Sequence, residues 1–246
     1  MKVDILASGS NGNCIVIRSS NTTILVDVGI PKTQIEKRLL EVGIRPDSID
    51  AIFITHAHSD HVKGLPLANK YRIPVFASEG EWKIIKNIDE GLINIPRIIV
   101  EINHLRVLPF HTHHDSFEPL GYSIIDKDNY KKASVCLDTG HVDESMIDVM
   151  RDSNIYIIEA NHSPRLVEIC KRPPVTKARI LSDIGHLSNQ QTANALAKLV
   201  KGKGEKIYLT HLSDDNNSPS LAKKTVISFL TKKGFEEGKH YEIEVF

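Results

Sequence analysis

The stretch from Thr55 to His61 reads Thr-His-Ala-His-Ser-Asp-His and constrains this chain more than any other. It directly follows an apolar run that predicts a short buried strand. Three imidazoles and a carboxylate so close together are poor packing material, but they are ligand types that divalent metals bind. In extended backbone, residues two apart point the same way, so His56 and His58 can share one ion. Asp60 and His61 are expected on the first turn of a helix, facing a second ion.

The pattern His56-Ala57-His58-Ser59-Asp60-His61 resembles the signature of the metallo-β-lactamase fold. The resemblance implies an α/β protein with a four-layer αββα sandwich, built of two similar β-rich halves. The alternative, surface histidines on a loop, does not account for so dense a motif directly after a buried strand. Hydrolases of lactams, thioesters and phosphodiesters share the motif, so the motif alone leaves the reaction open.

Length and composition favour one domain in a reducing compartment. A chain of 246 residues suits one large α/β domain, and we expect residues 1–246 to form it. Lysine plus arginine and aspartate plus glutamate both number 31, so the global charge neither requires nor excludes a polyanionic partner. Cys14, Cys136 and Cys170 are odd in number and widely spaced, which predicts no disulfide framework and a cytoplasmic location. Neither a signal peptide nor a membrane-spanning run is recognisable, so we expect no membrane partner.

Apolar periodicity and turn residues predict alternating strands and helices. The loop 8–13 is interpreted as a plain turn rather than a phosphate-binding nest, because no helix follows it. Residues 87–97 are interpreted as a connection, and residues 163–180 carry no recognisable motif. Strands are expected at 3–6, 14–18, 23–26, 51–54, 75–77, 98–102, 105–110, 121–124, 132–137, 155–159, 206–211 and 241–245, and helices at 31–42, 64–68, 78–86, 143–150, 192–199 and 219–232.

Two aspartates, Asp27 and Asp138, end apolar strands in the same way, each followed two residues later by glycine. A carboxylate at the mouth of a buried strand is costly unless it is paired. By the resemblance, Asp27 supports the metal-binding histidines, and Asp138 bridges two ions whose combined charge calls for a shared carboxylate. The alternatives are a cap for the next helix at Asp27 and a turn residue at Asp138.

A second histidine-rich segment follows a predicted strand, and the fold requires one of its histidines as a ligand. In nucleases of this fold that ligand precedes a Gly-Tyr strand by several residues. His114 fits best, because such a strand begins at Gly121, and His113 is the alternative. His104 and His111 are interpreted as ordinary polar residues of strands.

Two further histidines lie at the ends of predicted strands. His211 ends the strand 206–211 and is expected to complete the ligands of the second ion. Asp214 or Asn217 could hold its other ring nitrogen, although a helix-capping role fits them equally. For His162, a role in supporting ligands or contacting substrate is weighed against a structural hydrogen bond.

His186 lies in the segment 182–188, just before a helix that Ser188 is predicted to cap. The segment resembles an element of transfer-RNA 3′-processing nucleases and phosphodiesterases of this fold, in which the histidine faces the scissile phosphate. The resemblance implies that His186 acts as an acid or as a donor to phosphate. One basic cluster near the expected cleft is interpreted either as a solvated face or as a contact with the nucleic-acid backbone, and it comprises Lys171, Arg172, Lys177 and Arg179.

Five segments across nearly the whole chain together resemble the YycJ (WalJ) branch of the superfamily, namely 8–13, 56–61, 159–162, 182–189 and 211–217. The branch implies a phosphodiesterase, with 5′ to 3′ DNA exonuclease as the expected activity and DNA as the expected partner. It also implies two divalent cations, zinc or manganese, and a metal-bridged hydroxide as the nucleophile, oriented by Asp60. The implied ligands are His56, His58 and His114 for one ion, Asp60, His61 and His211 for the other, and Asp138 between them.

Two other functions are alternatives. A small-molecule hydrolase of the same fold, such as a cyclic phosphodiesterase, thioesterase or lactonase, is the first, and thioester cleavage would not require the phosphate-facing His186. A non-catalytic, metal-stabilised binding module is the second, and it would not need all seven ligand positions. The interval between Asp138 and His162 is too short for the cap domain of β-CASP nucleases, which disfavours that class.

Overall fold

The computed structural model describes residues 1–246 and contains two mixed β-sheets flanked by helices, the α/β sandwich that the sequence predicts. The strands are β1 Lys2–Ala7, β2 Cys14–Ser19, β3 Thr22–Val26, β4 Ala51–Phe53, β5 Val75–Phe76, β6 Ile93–Asn94, β7 Val100–Ile102, β8 Leu105–His111, β9 Leu120–Asp126, β10 Lys132–Cys136, β11 Ile155–Glu159, β12 Glu205–Thr210 and β13 Tyr241–Val245. The α-helices are α1 Lys32–Glu41, α2 Ser59–Val62, α3 Pro66–Tyr71, α4 Glu79–Trp82, α5 Glu144–Met150, α6 Pro164–Ile169, α7 Pro174–Ile180, α8 Asn189–Leu199 and α9 Pro219–Lys232. Short 3-10 turns lie at Pro46–Ser48 and Glu90–Leu92.

The sheets combine antiparallel and parallel strands. The first has the order β1-β2-β3-β4-β5-β6, and the second has the order β13-β12-β11-β10-β9-β8-β7. β1 to β3 form the predicted antiparallel meander, whereas β3 to β6 and β10 to β13 are parallel. Every residue of β3, β4 and β11 is buried, as expected for parallel strands covered on both faces.

The chain divides into two compact units, Met1–Pro109 with Ser116–Lys131, and Phe110–Asp115 with Lys132–Phe246. Each unit has its own apolar core. The first core packs α1 and α3 against the first sheet, with Ile35, Leu39 and Leu67 beside Val16, Leu25 and Ile52. The second core packs α5, α8 and α9 against parallel strands, with Met146, Leu196 and Val226 beside Cys136, Ile158 and Leu209. No helix combines the length and the apolar composition that a bilayer crossing requires.

The helix predicted at 78–86 is shorter in the structure, where α4 has four residues. Gly80 lies inside it, and glycine is a poor helix former. The Trp82 indole N–H donates to the Asn94 carbonyl oxygen at 2.9 Å, so this side chain packs toward β6. The helix therefore ends at Trp82, before the end of the apolar pattern from which the longer helix was predicted.

Two other regions differ from their predictions. Residues 87–97, predicted as a connection, include a 3-10 turn and β6, which pairs in parallel with β5. The strand predicted at 98–102 begins only at Val100. The segment 163–180 forms α6 and α7, each with proline in its first turn. These elements are too short to give a periodic sequence signal.

Candidate metal centre

In the first unit, candidate site residues follow two neighbouring parallel strands. Val26, the last residue of β3, pairs with Phe53, the last residue of β4. Asp27 and the motif from Thr55 therefore leave the same edge of the sheet, the edge at which open α/β sheets bind ligands. Asp27 has a left-handed φ of 58°, and its N–H donates to the Phe53 carbonyl oxygen at 2.8 Å. A left-handed residue ends the strand with a sharp turn.

The Asp27 carboxylate is fully buried and surrounded by donors. It accepts hydrogen bonds from the Thr55 N–H at 2.8 Å and the Thr55 hydroxyl at 2.9 Å, and it lies 2.7 Å from Nδ1 of His61. Burial raises the pKa of Asp27, and the neighbouring His61 and Thr55 oppose that rise. The contact with His61 is the one that the predicted supporting role requires. Asp27 does not cap α1, whose N-cap residue is Pro31.

The histidines of the motif lie close together. Nε2 of His56 is 2.9 Å from Nδ1 of His58, and Nδ1 of His56 is 3.0 Å from the Thr55 hydroxyl. His61 is fully buried on α2, and its Nε2 lies 3.5 Å from Oδ2 of Asp60. His56 and His61 each have Nδ1 beside an oxygen and Nε2 beside another potential ligand, an arrangement typical of metal-binding histidines.

Gly29 shows how closely the motif packs against the strand end. A Cβ atom at this position would lie 1.6 Å from the Asp60 carbonyl oxygen and 2.6 Å from the Asn13 backbone nitrogen. The Asn13 N–H donates to the same Asp60 oxygen at 2.8 Å. The loop 8–13, predicted as a plain turn, therefore also anchors the histidine motif.

Sequence reasoning missed Glu81, which lies on α4 and is fully buried. Its carboxylate accepts hydrogen bonds from the Ala57 N–H at 2.7 Å, the Ser116 hydroxyl at 2.6 Å and the Glu118 N–H at 2.8 Å. Ala57 lies between the first two histidines of the motif, so this carboxylate holds the motif's backbone. A glutamate in a short polar helix has no sequence signal that distinguishes it from an exposed one.

In the second unit, three parallel strands end at one edge of a sheet. β11 pairs with β12 so that Glu159 lies opposite Thr210, and β10 pairs in parallel with β11. Asp138, Glu159 and His211 consequently lie at the carboxyl ends of neighbouring strands. Asp138 and His211 have left-handed φ values of 46° and 55°, so the strand-end geometry of the first unit recurs here.

Sequence reasoning assigned Glu159 no role, yet its fully buried carboxylate contacts two of the predicted site residues. Oε1 accepts hydrogen bonds from the N–H groups of Thr139 at 2.7 Å and Leu187 at 3.1 Å. Oε2 lies 3.1 Å from Nδ1 of His186 and 3.2 Å from Nδ1 of His211. Burial alone would raise the pKa of Glu159, but the two histidines outweigh burial and lower it. Its position at the end of an apolar strand, like that of the two aspartates, is the signal that could have found it.

The structure separates the two candidate histidines of the segment 111–115. His114 is buried, its Nδ1 donates to the Gly185 carbonyl oxygen at 3.0 Å, and its Nε2 lies 3.6 Å from Oδ2 of Asp138. His113 instead contacts Asp143, with 2.8 Å between Nε2 and Oδ2. Burial lowers the pKa of His114, which favours the neutral imidazole that binds a cation.

His186 is more open than its neighbours, with 12% of its side chain exposed against 3% for His211 and 4% for Asp138. Its ring centroid lies 5.1 Å from that of His114 and 5.3 Å from that of His211. Because Nδ1 lies beside Glu159, Nε2 is the atom that would contact a substrate. The predicted role of His186, as an acid or as a hydrogen-bond donor to the phosphate, requires such an open position.

Asn217 does not contact the ring of His211 as the sequence interpretation allowed. Its side-chain N–H groups donate to the Ala160 carbonyl oxygen at 2.7 Å and to Asn189 at 2.9 Å. Asp138 at 2.6 Å and Glu159 at 3.2 Å lie beside Nδ1 of His211 instead. The amide of Asn217 therefore ties the end of β11 to the start of α8.

His162 is buried, and its Nδ1 has no hydrogen-bond partner. Its backbone oxygen accepts a hydrogen bond from the Asn189 N–H at 2.9 Å. The Nδ1 atom therefore makes no structural hydrogen bond, and a supporting or substrate-contacting role of the ring stays a prediction. Burial lowers the pKa of His162 to about 4, so the ring is neutral at pH 7.

The basic cluster predicted to contact nucleic acid is partly neutralised within the chain. Arg172 lies 2.8 Å from Asp215, and Arg179 lies 2.7 Å from Asp115. Lys177 donates to the Glu168 carbonyl oxygen at 2.7 Å, and because this partner is uncharged, the charge of Lys177 is not neutralised. Lys171 and Lys177 are thus the two residues of the cluster without an acidic partner.

Histidine and carboxylate side chains form groups whose ligand atoms all lie within 4.8 Å of one another. One such group in the second unit consists of Asp138, Glu159, His186 and His211. Imidazoles oriented by buried carboxylates, with further carboxylates beside them, are a donor set that fits zinc and also admits manganese. The clusters of this chain could hold a dinuclear metal site.

Comparisons with known proteins point to one superfamily. A family model described as "Metallo-beta-lactamase superfamily" matches residues 7–128. The chain is 34% identical to "Exodeoxyribonuclease YycJ" of Bacillus anthracis, over 97% of this chain and 92% of that protein. It is also 34% identical to "Exodeoxyribonuclease WalJ" of Streptococcus pneumoniae, over 98% of this chain and 93% of that protein. These relatives are exonucleases of a superfamily of hydrolytic, metal-dependent enzymes.

Solved structures share the fold at low sequence identity. The metallo-beta-lactamase fold protein YhfI from Bacillus subtilis superposes with a TM-score of 0.71 and 14% identity, over 99% of this chain and 95% of that chain. Unliganded yeast PDE1 superposes with a TM-score of 0.72 and 13% identity, over 99% and 96%. The chain thus belongs to the metallo-β-lactamase superfamily and is a relative of the YycJ and WalJ proteins.

Proposed function

We propose that this protein is a phosphodiesterase that degrades DNA as a 5′ to 3′ exonuclease, using two divalent ions, zinc or manganese. The observation that carries the proposal is the buried Glu159 carboxylate, which contacts both His186 and His211. One anion thereby joins a proposed metal ligand to a proposed acid. Two relatives at 34% identity are named exodeoxyribonucleases, which supports DNA as the substrate. A cytoplasmic location is part of the proposal, and the three free cysteines support it.

The ligands of the proposed ions are the seven residues implied by the sequence. Ring orientation supports four of the histidines, because in each the Nδ1 atom lies within hydrogen-bond distance of an oxygen and Nε2 is the atom that would bind a cation. Nδ1 lies 3.0 Å from the Thr55 hydroxyl in His56, 2.7 Å from Asp27 in His61 and 3.0 Å from the Gly185 carbonyl oxygen in His114. In His211 it lies 2.6 Å from Asp138 and 3.2 Å from Glu159. We assign His56, His58 and His114 to one ion, Asp60, His61 and His211 to the other, and Asp138 to both.

The side chains have distinct tasks in phosphodiester cleavage. Bound divalent ions would lower the pKa of water and neutralise the charge of the phosphate. Asp60 accepts a hydrogen bond from the attacking water and so orients it. His186 donates a proton from Nε2 to the phosphate or to the leaving oxygen, while the anionic Glu159 beside Nδ1 stabilises the protonated ring.

The test is hydrolysis of 5′-phosphorylated linear duplex DNA with added manganese. We expect Asp138→Ala to lower kcat by roughly 10³-fold or more, because both ions lose a ligand. We expect His186→Ala to lower kcat by about 10²- to 10⁴-fold, the range for loss of an acid. His104→Ala is the control, since His104 is exposed and pairs with Asp128 at 3.1 Å.

Three outcomes of this assay would count against the proposal. Full activity in Asp138→Ala would contradict a two-ion site. Equal rates on 5′- and 3′-blocked duplexes would contradict the proposed polarity. Turnover of a lactone or thioester with DNA left intact would favour a small-molecule hydrolase.

A further inference from the structure

We propose a third metal site, formed by His113, His141 and Asp143 and distinct from the proposed catalytic ions. Each of the three residues offers one ligand atom, and these atoms lie within 4.8 Å of one another. All three belong to the second unit and are partly exposed, so an ion from solution can reach them. The proposed phosphodiesterase mechanism uses none of them.

His141 is held in the tautomer that a metal ligand needs. Its Nδ1 lies 3.0 Å from the Asp183 carbonyl oxygen. A carbonyl oxygen can only accept, so Nδ1 carries the hydrogen and Nε2 of the neutral ring carries the lone pair. Proteins orient metal-binding histidines through such a hydrogen bond on the other nitrogen.

Asp143 is fixed by the helix that it caps. Its Oδ1 accepts hydrogen bonds from the Met146 N–H at 2.9 Å and the Ser145 hydroxyl at 2.7 Å, at the start of α5. Its Oδ2 lies 2.8 Å from Nε2 of His113. A divalent ion can take the place of the single proton between these two atoms.

An ion pair between His113 and Asp143 would explain that contact but not the position of His141. The two imidazoles are stacked, with ring centroids 3.9 Å apart and planes at 11°. The stacking places a second imidazole beside the His113–Asp143 contact, where its ligand atom lies within 4.8 Å of those of His113 and Asp143.

The backbone around the three residues is already tied together. The His113 N–H donates to the Thr139 hydroxyl at 3.0 Å, and the Gly140 N–H donates to the His113 carbonyl oxygen at 2.8 Å. The Thr139 hydroxyl donates to the His141 carbonyl oxygen at 2.7 Å. Ligand atoms around tetrahedral zinc are about 3.4 Å apart. Side-chain rotations that move each of these ligand atoms by about 1 Å would bring the group to that spacing.

The ligand types suggest zinc, with water completing the coordination. The ion would clamp the loop 138–143 to the segment 111–115. These segments also carry Asp138 and His114, two proposed ligands of the catalytic ions. The third ion is therefore a structural one that holds the loop in place.

The test dialyses the protein against micromolar zinc and then measures the number of bound zinc ions per chain by elemental mass spectrometry. We expect His141→Ala and Asp143→Asn each to retain one zinc ion fewer than the wild type. Asparagine caps helices as well as aspartate does, so Asp143→Asn preserves α5. The matched control is His104→Ala, which alters a histidine paired with Asp128 that has no second imidazole.

A zinc count in His141→Ala and Asp143→Asn equal to that of the wild type would overturn the proposal. Because the result is a difference between variants, it does not depend on whether the catalytic ions bind as proposed. Circular dichroism establishes that each variant is folded. We further expect zinc to raise the melting temperature of the wild type more than that of Asp143→Asn.

Discussion

Each unit holds histidines around a buried carboxylate at a strand end, Asp27 in the first and Glu159 in the second, but the two carboxylates do so differently. In the first unit, Asp27 contacts one histidine, His61, and its other donors all come from Thr55. In the second unit, Glu159 contacts two histidines, His186 and His211. A carboxylate that serves one ring can only orient a ligand. A carboxylate that serves two rings can also couple a ligand to a proton donor.

The largest expected effect is on kcat, and it should differ between substitutions of these two carboxylates. Asp27→Asn should weaken manganese binding by about 10- to 100-fold, and excess manganese should restore kcat. Glu159→Gln should lower kcat by about 10²- to 10⁴-fold even at saturating manganese, because His186 loses its anionic partner. The measurement is kcat on duplex DNA as a function of manganese concentration. Equal rescue of both variants by manganese would remove the distinction between the two units.

The next effect tests whether the two strand ends pack alike. A Cβ atom would lie 1.6 Å from the Asp60 carbonyl oxygen at Gly29 and 2.2 Å from the Asp183 carbonyl carbon at Gly140. Gly29→Ala and Gly140→Ala should each lower the free energy of unfolding by about 3 kcal/mol, because backbone atoms cannot move aside cheaply. Urea denaturation measures the loss.

Gly91→Ala is the control for these substitutions, since the nearest atom to its Cβ would be the Arg72 guanidinium at 3.9 Å. It should change stability by less than about 1 kcal/mol. Wild-type stability in either strand-end variant would show that the corresponding close approach is absent in solution.

A smaller effect concerns the pH dependence of stability that arises from His162, a buried imidazole whose Nδ1 has no carboxylate partner. The pKa of His162 is lowered to about 4 by burial, against 6.5 in the unfolded chain. Above pH 6.5 both states are neutral and His162 contributes nothing. Below it, the unfolded chain binds a proton that the folded protein excludes, so stability falls by about 2 kcal/mol at pH 5.

His162→Gln should therefore lose about 2 kcal/mol less than the wild type between pH 7 and pH 5, measured by urea denaturation. His111→Gln, at an exposed position on β8, is the control and should behave as the wild type does. The same loss in His162→Gln and wild type would mean that this ring is not buried neutral.

The smallest effect concerns the basic cluster, which only the second unit carries. Lys171→Ala should reduce the slope of log affinity for DNA against log salt by about 1, because an uncompensated charge is removed. Arg172→Ala should change the slope less, since Asp215 already neutralises that charge. Fluorescence anisotropy across a salt series measures both slopes, and equal slopes for the two variants would contradict the assignment.

The same difference between the units explains what the sequence could predict. The motif from His56 to His61 is local, so its density alone predicts the first unit's candidate ligands. Asp138 and His211 could be predicted from the sequence because each follows an apolar strand. Parallel strands bring such residues to one edge of the sheet. Glu159 ends a strand too, but its partners are distant in sequence, and no pattern linked it to His186.

Other features depended on packing and had no sequence signal. Glu81 holds the motif's backbone from a short helix, and the sequence does not distinguish it from an exposed glutamate. The meander, α9 and β13 were predicted well because their apolar periods are long and bounded by turn residues. The elements at 87–97 and 163–180 are too short for such periods, and their contacts fix them instead.

The most direct test of the proposed two-ion site is anomalous X-ray scattering from manganese-soaked crystals. We predict two neighbouring peaks, one bound by His56, His58 and His114, the other by Asp60, His61 and His211, with Asp138 touching both. A map without manganese at these histidines, or with a single ion that Asp138 does not contact, would contradict this account.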